Sequence, residues 1–240
     1  MIRIFKNSSS LTEAAAEEFI QTAAAAISAN GRFTVALTGG SSPEQLYELL
    51  ATAAFSDKID WDKTLVFWGD ERWVPLDDPR SNAGMAFEAL LNRVPLRPQF
   101  IFPMWQEGQG AGEFARHYSS LLLKHLGEKP VFDLILLGMG DDGHTASLFP
   151  GTEVLKENEE WTAAWYLPSQ EMYRITLTAP VINQARKILF MVFGSNKAAA
   201  LSEVLEGDFN PEKYPAQLIK PGKGELIWLV DEAAAEKLRS

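Results

Sequence analysis

Apolar residues recur along this chain in short unbroken runs, and most of these runs end in glycine or in a cluster of polar residues. Phe33-Thr34-Val35-Ala36-Leu37-Thr38, Leu65-Val66-Phe67-Trp68, Leu134-Ile135-Leu136-Leu137 and Ile188 to Phe193 are too short for helices and suit strands buried on both faces. Leu226–Val230 predicts a last strand ahead of a terminal helix, and Ile2-Arg3-Ile4-Phe5 alternates like a short edge strand. Between the runs the pattern turns helical. An alanine- and glutamate-rich helix is expected from Leu11 to Ala29, with Ser10 and Glu13 spaced as a capping box and Asn30-Gly31 as its stop. Pro43 sits at the start of a helix running to about Ala54. Ser81 or Asn82 caps another through about Asn92, and further helices are expected over Glu113–Leu126 and up to Leu205. Thr162–Tyr166 and Arg174–Thr178 alternate like an antiparallel pair, and Val181–Ala185 reads as a short helix.

Strands that alternate with helices from one end to the other predict an α/β protein. The expectation is a Rossmann-like, doubly wound, mainly parallel sheet with helices on both faces and a small antiparallel addition. The irregular stretch Pro95 to Gly112 is read as a connection inside a single domain covering residues 1–240, its aromatics Phe100, Phe102 and Trp105 packing rather than binding.

Composition narrows the function more than the fold. An apolar share of 46% is enough to build a sizeable core. The net charge of -10 argues against nucleic acid as a partner, and any anionic substrate must then be held by a few local cations and backbone amides. With no cysteine there is no disulfide frame and no thiol chemistry. No apolar run approaches a membrane span or a signal-peptide core, so no membrane partner is expected and a cytoplasmic location is the default.

Candidate chemistry gathers where the buried strands end. In an open α/β sheet, ligands bind at the carboxyl ends of the strands. After Thr38 comes Gly39-Gly40-Ser41-Ser42 and a helix start, where free N–H groups, the helix dipole and two hydroxyls favour an anion. The spacing matches neither a dinucleotide fingerprint nor a Walker loop, and a plainly capped helix start is the bland alternative. After Trp68 comes Gly69-Asp70-Glu71-Arg72. Arg72 offers a planar fork suited to phosphate or carboxylate, while Asp70 can orient a sugar hydroxyl or simply hold Arg72 in a surface pair. After Leu137 comes Gly138-Met139-Gly140-Asp141-Asp142-Gly143-His144. His144 is the only one of the three histidines at a strand end, since His117 and His125 fall in a helical run; Asp142 can also satisfy it as an ordinary turn histidine. After Phe193 comes Gly194-Ser195-Asn196-Lys197, where a cation in the first turn opposes the helix dipole unless an anion lies between them. Arg174 begins a predicted strand and is either a ligand or an exposed edge residue.

The segments ALTGGSSPEQLY, WGDERWVP with DPRSN behind it, GMGDDGHTASLFPG, RITLT and FGSNKA together resemble the glucosamine-6-phosphate isomerase/6-phosphogluconolactonase family, and the likeness spans nearly the whole chain. The resemblance is to its 6-phosphogluconolactonase branch. It implies hydrolysis of 6-phospho-D-glucono-1,5-lactone to 6-phosphogluconate, in the oxidative pentose phosphate pathway, with no metal and no other cofactor. By that resemblance His144 is the base that activates water and Asp142 orients it. Gly39, Gly40, Ser41, Ser42, Asp70, Arg72, Arg174 and Lys197 bind the substrate, with the division between phosphate and oxyanion open. The only partner implied is a small-molecule sugar-phosphate lactone, and a monomer is the default.

Two competing readings stand beside this one. An aminosugar-phosphate deaminase of the same family resembles the chain in the anion loop and the Asp-Gly-His core. In that pattern, however, a glutamate precedes the proline after the histidine, and here Phe149 precedes Pro150. A non-catalytic sugar-phosphate sensor would keep the anion loop and has no need of His144.

Overall fold

The structure is a computed structural model that describes residues 1–239. Strands form where they were expected, with β4 in addition: β1 (Ile2–Phe5), β2 (Phe33–Leu37), β3 (Thr64–Trp68), β4 (Asp70–Arg72), β5 (Leu134–Leu137), β6 (Thr162–Leu167), β7 (Met172–Leu177), β8 (Lys187–Val192) and β9 (Glu225–Asp231). Six of them make one parallel sheet in the order β1-β9-β8-β5-β2-β3. β2, β3 and β5 are buried along their whole length, as unbroken apolar runs in a covered parallel sheet require. A smaller antiparallel sheet holds β4-β7-β6.

Strand order places the site. From β2 the chain moves outward to β3, then returns to the other side of β2 for β5, and continues outward through β8 and β9. The winding therefore reverses between β2 and β5, and the carboxyl ends of those two strands open a crevice. Gly39–Ser42 leave one side of it and Gly138–His144 the other.

The helices are α1 (Ser8–Asn30), α2 (Ser41–Leu50), α3 (Ala53–Ser56), α4 (Asn82–Ala86), α5 (Ala111–Leu126), α6 (Ala179–Ile182), α7 (Ala198–Glu206) and α8 (Glu232–Ala235). α1 begins earlier than the proposed Ser10/Glu13 box. Asn7 is the cap, its side-chain oxygen accepting from the Ser10 N–H at 3.0 Å, and Gly31 closes the helix in the left-handed region at φ 75°. An asparagine is as good a cap as a serine, and the two sites compete only three residues apart. α2 stops at Leu50, and the apolar positions beyond it fall in the separate turn α3. Ser81 is the cap of α4, accepting from Gly84 N–H at 3.0 Å, and a single π turn over Phe87–Leu91 continues it. Within 95–112, Phe102 stacks on Phe67 with centroids 4.6 Å apart, so that aromatic packs into the core.

One departure from the expected layout matters for the site. Asp70–Arg72 is not a loop at the end of a parallel strand. Through Gly69 the chain passes from β3 directly into β4, which leaves the main sheet and pairs with β7. Leu177 N–H donates to Gly69 O at 2.8 Å, so the small sheet is anchored on the carboxyl edge of the large one.

Candidate active site

A cavity of about 260 Å³ lies in the crevice, and the four strand-end segments expected to converge there do so, joined by Arg174 from β7. Gly39, Gly40, Ser41, Ser42, Asp70, Arg72, His144, Arg174 and Lys197 all line it. Asp142 stands behind His144 rather than on the wall.

On the β2 side, α2 begins at Ser41 with Gly40 at φ 107°, a conformation L side chains rarely adopt. The first helical turn leaves its N–H groups without intrahelical partners, and Pro43, the third helical residue, carries none to waste. A helix start of this kind offers free N–H groups to an anion.

On the β5 side, His144 and Asp142 form a compact pair. Asp142 Oδ1 lies 2.6 Å from His144 Nδ1 and also accepts the His144 backbone N–H at 3.0 Å. Burial alone would push the Asp142 carboxyl up, but the hydrogen bonds from His144 outweigh it and hold the carboxyl below its usual value. An ionised Asp142 assigns the neutral ring's proton to Nδ1 and leaves Nε2 as the basic nitrogen. Among the described residues Nε2 has no hydrogen-bond partner. The Gly138-Met139-Gly140 turn serves this pair. A Cβ on Gly140 would stand 2.1 Å from His144 Nδ1 and 2.5 Å from Asp142 Oδ1.

β4 and β7 supply the cations. Arg72 and Arg174 are direct partners on the antiparallel ladder, a like-charge juxtaposition that is unfavourable unless an anion or a carboxylate offsets it. Arg174 is not the exposed edge residue considered above. It is 3% exposed, with an Nε that has no partner, and burial together with the Arg72 charge pulls its guanidinium down to about 10 against the opposing pull of Asp70. Asp70 does not hold Arg72. Its Oδ2 accepts from Ser147 Oγ at 2.7 Å and lies 3.8 Å from Arg174 Nη1, while Arg72 donates to Arg80 O at 2.8 Å. Lys197 ends a 3-10 turn as the residue before α7, and the carboxylate of Asp231 accepts from Gly194 N–H at the start of that loop.

Three further residues of this site were not read beforehand as part of it, although Asn82 was a candidate helix cap and Phe149 a mark against the deaminase pattern. Glu71, read as one letter of a polar loop, is fully buried. It accepts from the backbone N–H groups of Arg72, Asn82 and Ala83 and from Ser81 Oγ, and so fastens β4 to the start of α4. Asn82 lines the cavity and donates to Asp70 O at 2.9 Å. Its side chain lies where a Cβ on Gly39 would be, at 1.7 Å. Phe149 stacks on the His144 ring with centroids 4.1 Å apart. For Glu71 the only local signal is its place between two charged neighbours in Asp70-Glu71-Arg72, which does not distinguish burial from exposure.

Residues 6–228 match the family described as glucosamine-6-phosphate isomerases/6-phosphogluconolactonase. The chain belongs to this family. Among its relatives, the 6-phosphogluconolactonase of Synechocystis sp. is 44% identical over 218 residues, which span 89% of this chain and 88% of that one. Human 6-phosphogluconolactonase is 37% identical over 243 residues, 99% of this chain and 93% of the relative. The solved 6-phosphogluconolactonase of Trypanosoma brucei superposes with a TM-score of 0.86 at 28% identity, covering 100% and 98% of the two chains. The six-stranded parallel sheet with its three-stranded addition is thus the family's fold. Among the described residues, no helix is long and apolar enough to cross a membrane, and no group of three or more His, Cys, Asp or Glu is placed to hold a metal ion.

Proposed function

We propose that this family member is an esterase-type hydrolase that opens 6-phospho-D-glucono-1,5-lactone to 6-phosphogluconate, using His144 as general base and no metal. Relatives of 44% and 37% identity over most of the chain bear the lactonase name and support the reaction. The observation that carries the mechanism is the His144–Asp142 pair on one side of a cavity whose other side is cationic.

In this reading the phosphate rests on the Gly39–Ser42 loop at the start of α2, with Arg72 and Lys197 beside it. Arg72 suits this end because it also lines a neighbouring cavity together with Gly40 and Ser41. The lactone carbonyl faces His144. Nε2 takes a proton from a water molecule as the water oxygen attacks C1, and Asp142 stabilises the imidazolium that forms. Arg174, whose guanidinium lies over the Phe149 ring beside His144, offsets the charge developing on the carbonyl oxygen. The C1–O5 bond then breaks, and the proton on Nε2 passes to O5, which leaves as a hydroxyl. Water has been added across the ester and no oxidant or reductant is needed.

Two features weigh against the deaminase reading. The residue packed on the histidine is Phe149, which can carry no proton, and among the described residues Asp142 is the one carboxylate hydrogen-bonded to the ring. The deciding experiment follows acid release from freshly prepared 6-phosphogluconolactone with and without the protein, before and after exhaustive chelation. Acceleration that survives chelation is expected. Decay at the spontaneous rate, alongside measurable binding of 6-phosphogluconate, would instead identify a sugar-phosphate sensor.

A further inference from the structure

We infer that Phe149 is a positioning residue for this hydrolysis: its ring fixes the plane of the His144 imidazole and seats the Arg174 guanidinium next to it. The inference rests on the reading of His144 as the base.

The polar anchors of His144 do not define its orientation. The side chain is 28% exposed, and its one polar side-chain partner, Asp142, is itself 45% exposed. A single hydrogen bond at Nδ1 fixes a point and leaves the ring free to rock about that bond, carrying Nε2 with it. Stacking removes this freedom. The Phe149 and His144 rings are 19° from parallel with centroids 4.1 Å apart. Phe149 is 8% exposed, and the edge of Trp165 meets it at 5.9 Å and 66°, so the stacking surface is itself immobilised. The same ring carries the Arg174 guanidinium at 5.5 Å from its centroid. One apolar side chain therefore touches both the proposed base and the proposed oxyanion partner.

The backbone is shaped to deliver it there. Between the two residues the chain makes a tight turn closed by Leu148 N–H to Thr145 O at 2.9 Å, with Ala146 at φ 48°. A left-handed conformation at a residue with a Cβ is costly, and such outliers persist where the surrounding structure demands them. Ser147, at the centre of the turn, is pinned by Asp70. An aromatic that merely filled the core would need neither the turn nor a partly exposed polar ring as its neighbour.

The test compares Phe149→Leu, Phe149→Tyr and Phe149→Trp with the parent and with His144→Ala, measuring kcat, KM, 6-phosphogluconate affinity and melting for each. The expected result for Phe149→Leu is a fall in kcat on the order of ten- to a hundredfold, the size of loss that a small misplacement of a reacting group produces. KM and product affinity should stay within about twofold, because the phosphate end is untouched by this side chain. A flat ring should repair much of the loss, so at least one of the Tyr and Trp variants is expected within a few-fold of the parent. A Phe149→Leu enzyme with kcat within about twofold of the parent overturns the inference while leaving the His144 reading intact, provided His144→Ala is inactive. A loss that neither aromatic repairs, or one that follows melting and product affinity in proportion, overturns it as well and reduces Phe149 to packing. Full activity in a folded His144→Ala enzyme sinks the general-base reading itself, and this inference with it.

Discussion

Ser147 Oγ donates a 2.7 Å hydrogen bond to the carboxylate of Asp70, joining residues 77 apart in the chain. Both are buried, and the bond ties the turn that follows His144 to the first residue of β4. Asp70 then faces Arg174 at 3.8 Å. The loop that carries His144 and the strands that carry Arg72 and Arg174 thus share one buried carboxylate. Removing it takes the nearest carboxylate from the buried Arg174 guanidinium. Asp70→Ala is expected to lower stability by on the order of 3 kcal/mol, and Ser147→Ala by about 1–2 kcal/mol for the lost donor. Urea unfolding of the two variants checks the order: a Ser147→Ala loss equal to or larger than that of Asp70→Ala would contradict this account.

Gly140 leaves room for the His144–Asp142 pair. An added methyl at Gly140 would lie within 2.5 Å of both His144 Nδ1 and Asp142 Oδ1, so Gly140→Ala forces them apart. The expected outcome is a folded protein with a kcat loss on the order of a hundredfold and little change in product affinity. Parent-like kcat would mean that the Asp142–His144 contact is dispensable.

The proposed phosphate end predicts its own specificity pattern. Arg72 is the cross-strand partner of Arg174 and adjoins the Gly40–Ser41 loop. Arg72→Ala should raise KM for the phosphorylated lactone about tenfold or more, consistent with loss of one charge-assisted hydrogen bond of 1.5–3 kcal/mol, on the order quoted for such bonds. The parent enzyme should strongly prefer the phosphorylated lactone over glucono-1,5-lactone, and Arg72→Ala should narrow that preference. Equal kcat/KM for the two lactones in the parent would remove the phosphate assignment from the Gly39–Ser42 loop.

Glu71 makes stability depend on pH near neutrality. Burial pushes its carboxyl up from 4.5 to about 7, against the opposing pull of three backbone N–H groups. Folding therefore favours the protonated form. The associated stability is complete below about pH 4.5 and is lost as pH rises through about 7, up to roughly 3 kcal/mol in all. Asp70, immediately before it, adds to the upward shift. Glu71→Gln cannot titrate, so its unfolding free energy should lack this decline, although it starts lower because one N–H donor loses its acceptor. The check is urea unfolding of both proteins at intervals between pH 4.5 and 8: curves that remain parallel across that window contradict a titrating Glu71.

The sequence by itself determined which segments become strands of the large sheet, because an apolar run of four to six residues between turn signals has few other stable fates. It also determined that the glycine-rich and polar stretches after β2, β5 and β8 would lie at strand ends, since position along a strand is a local property. The cap of α1 missed by three residues because Asn7 and Ser10 offer the same chemistry within one helical turn. What only the tertiary structure decided is which distant groups meet. Asp70 was paired with its near neighbour Arg72 as one of two options, yet it bonds to Ser147 and faces Arg174 across more than seventy residues. Glu71 looked like part of a surface loop and is fully buried, because β4 leaves the main sheet and folds onto α4. Phe149 was legible only as a residue without a proton, while its stacking on His144 depends on a left-handed turn at Ala146 that no hydropathy pattern encodes. Hydropathy and capping signals act over a few residues, and strand order, register and the burial of a charge arise from contacts between segments whose separation along the chain carries no periodicity.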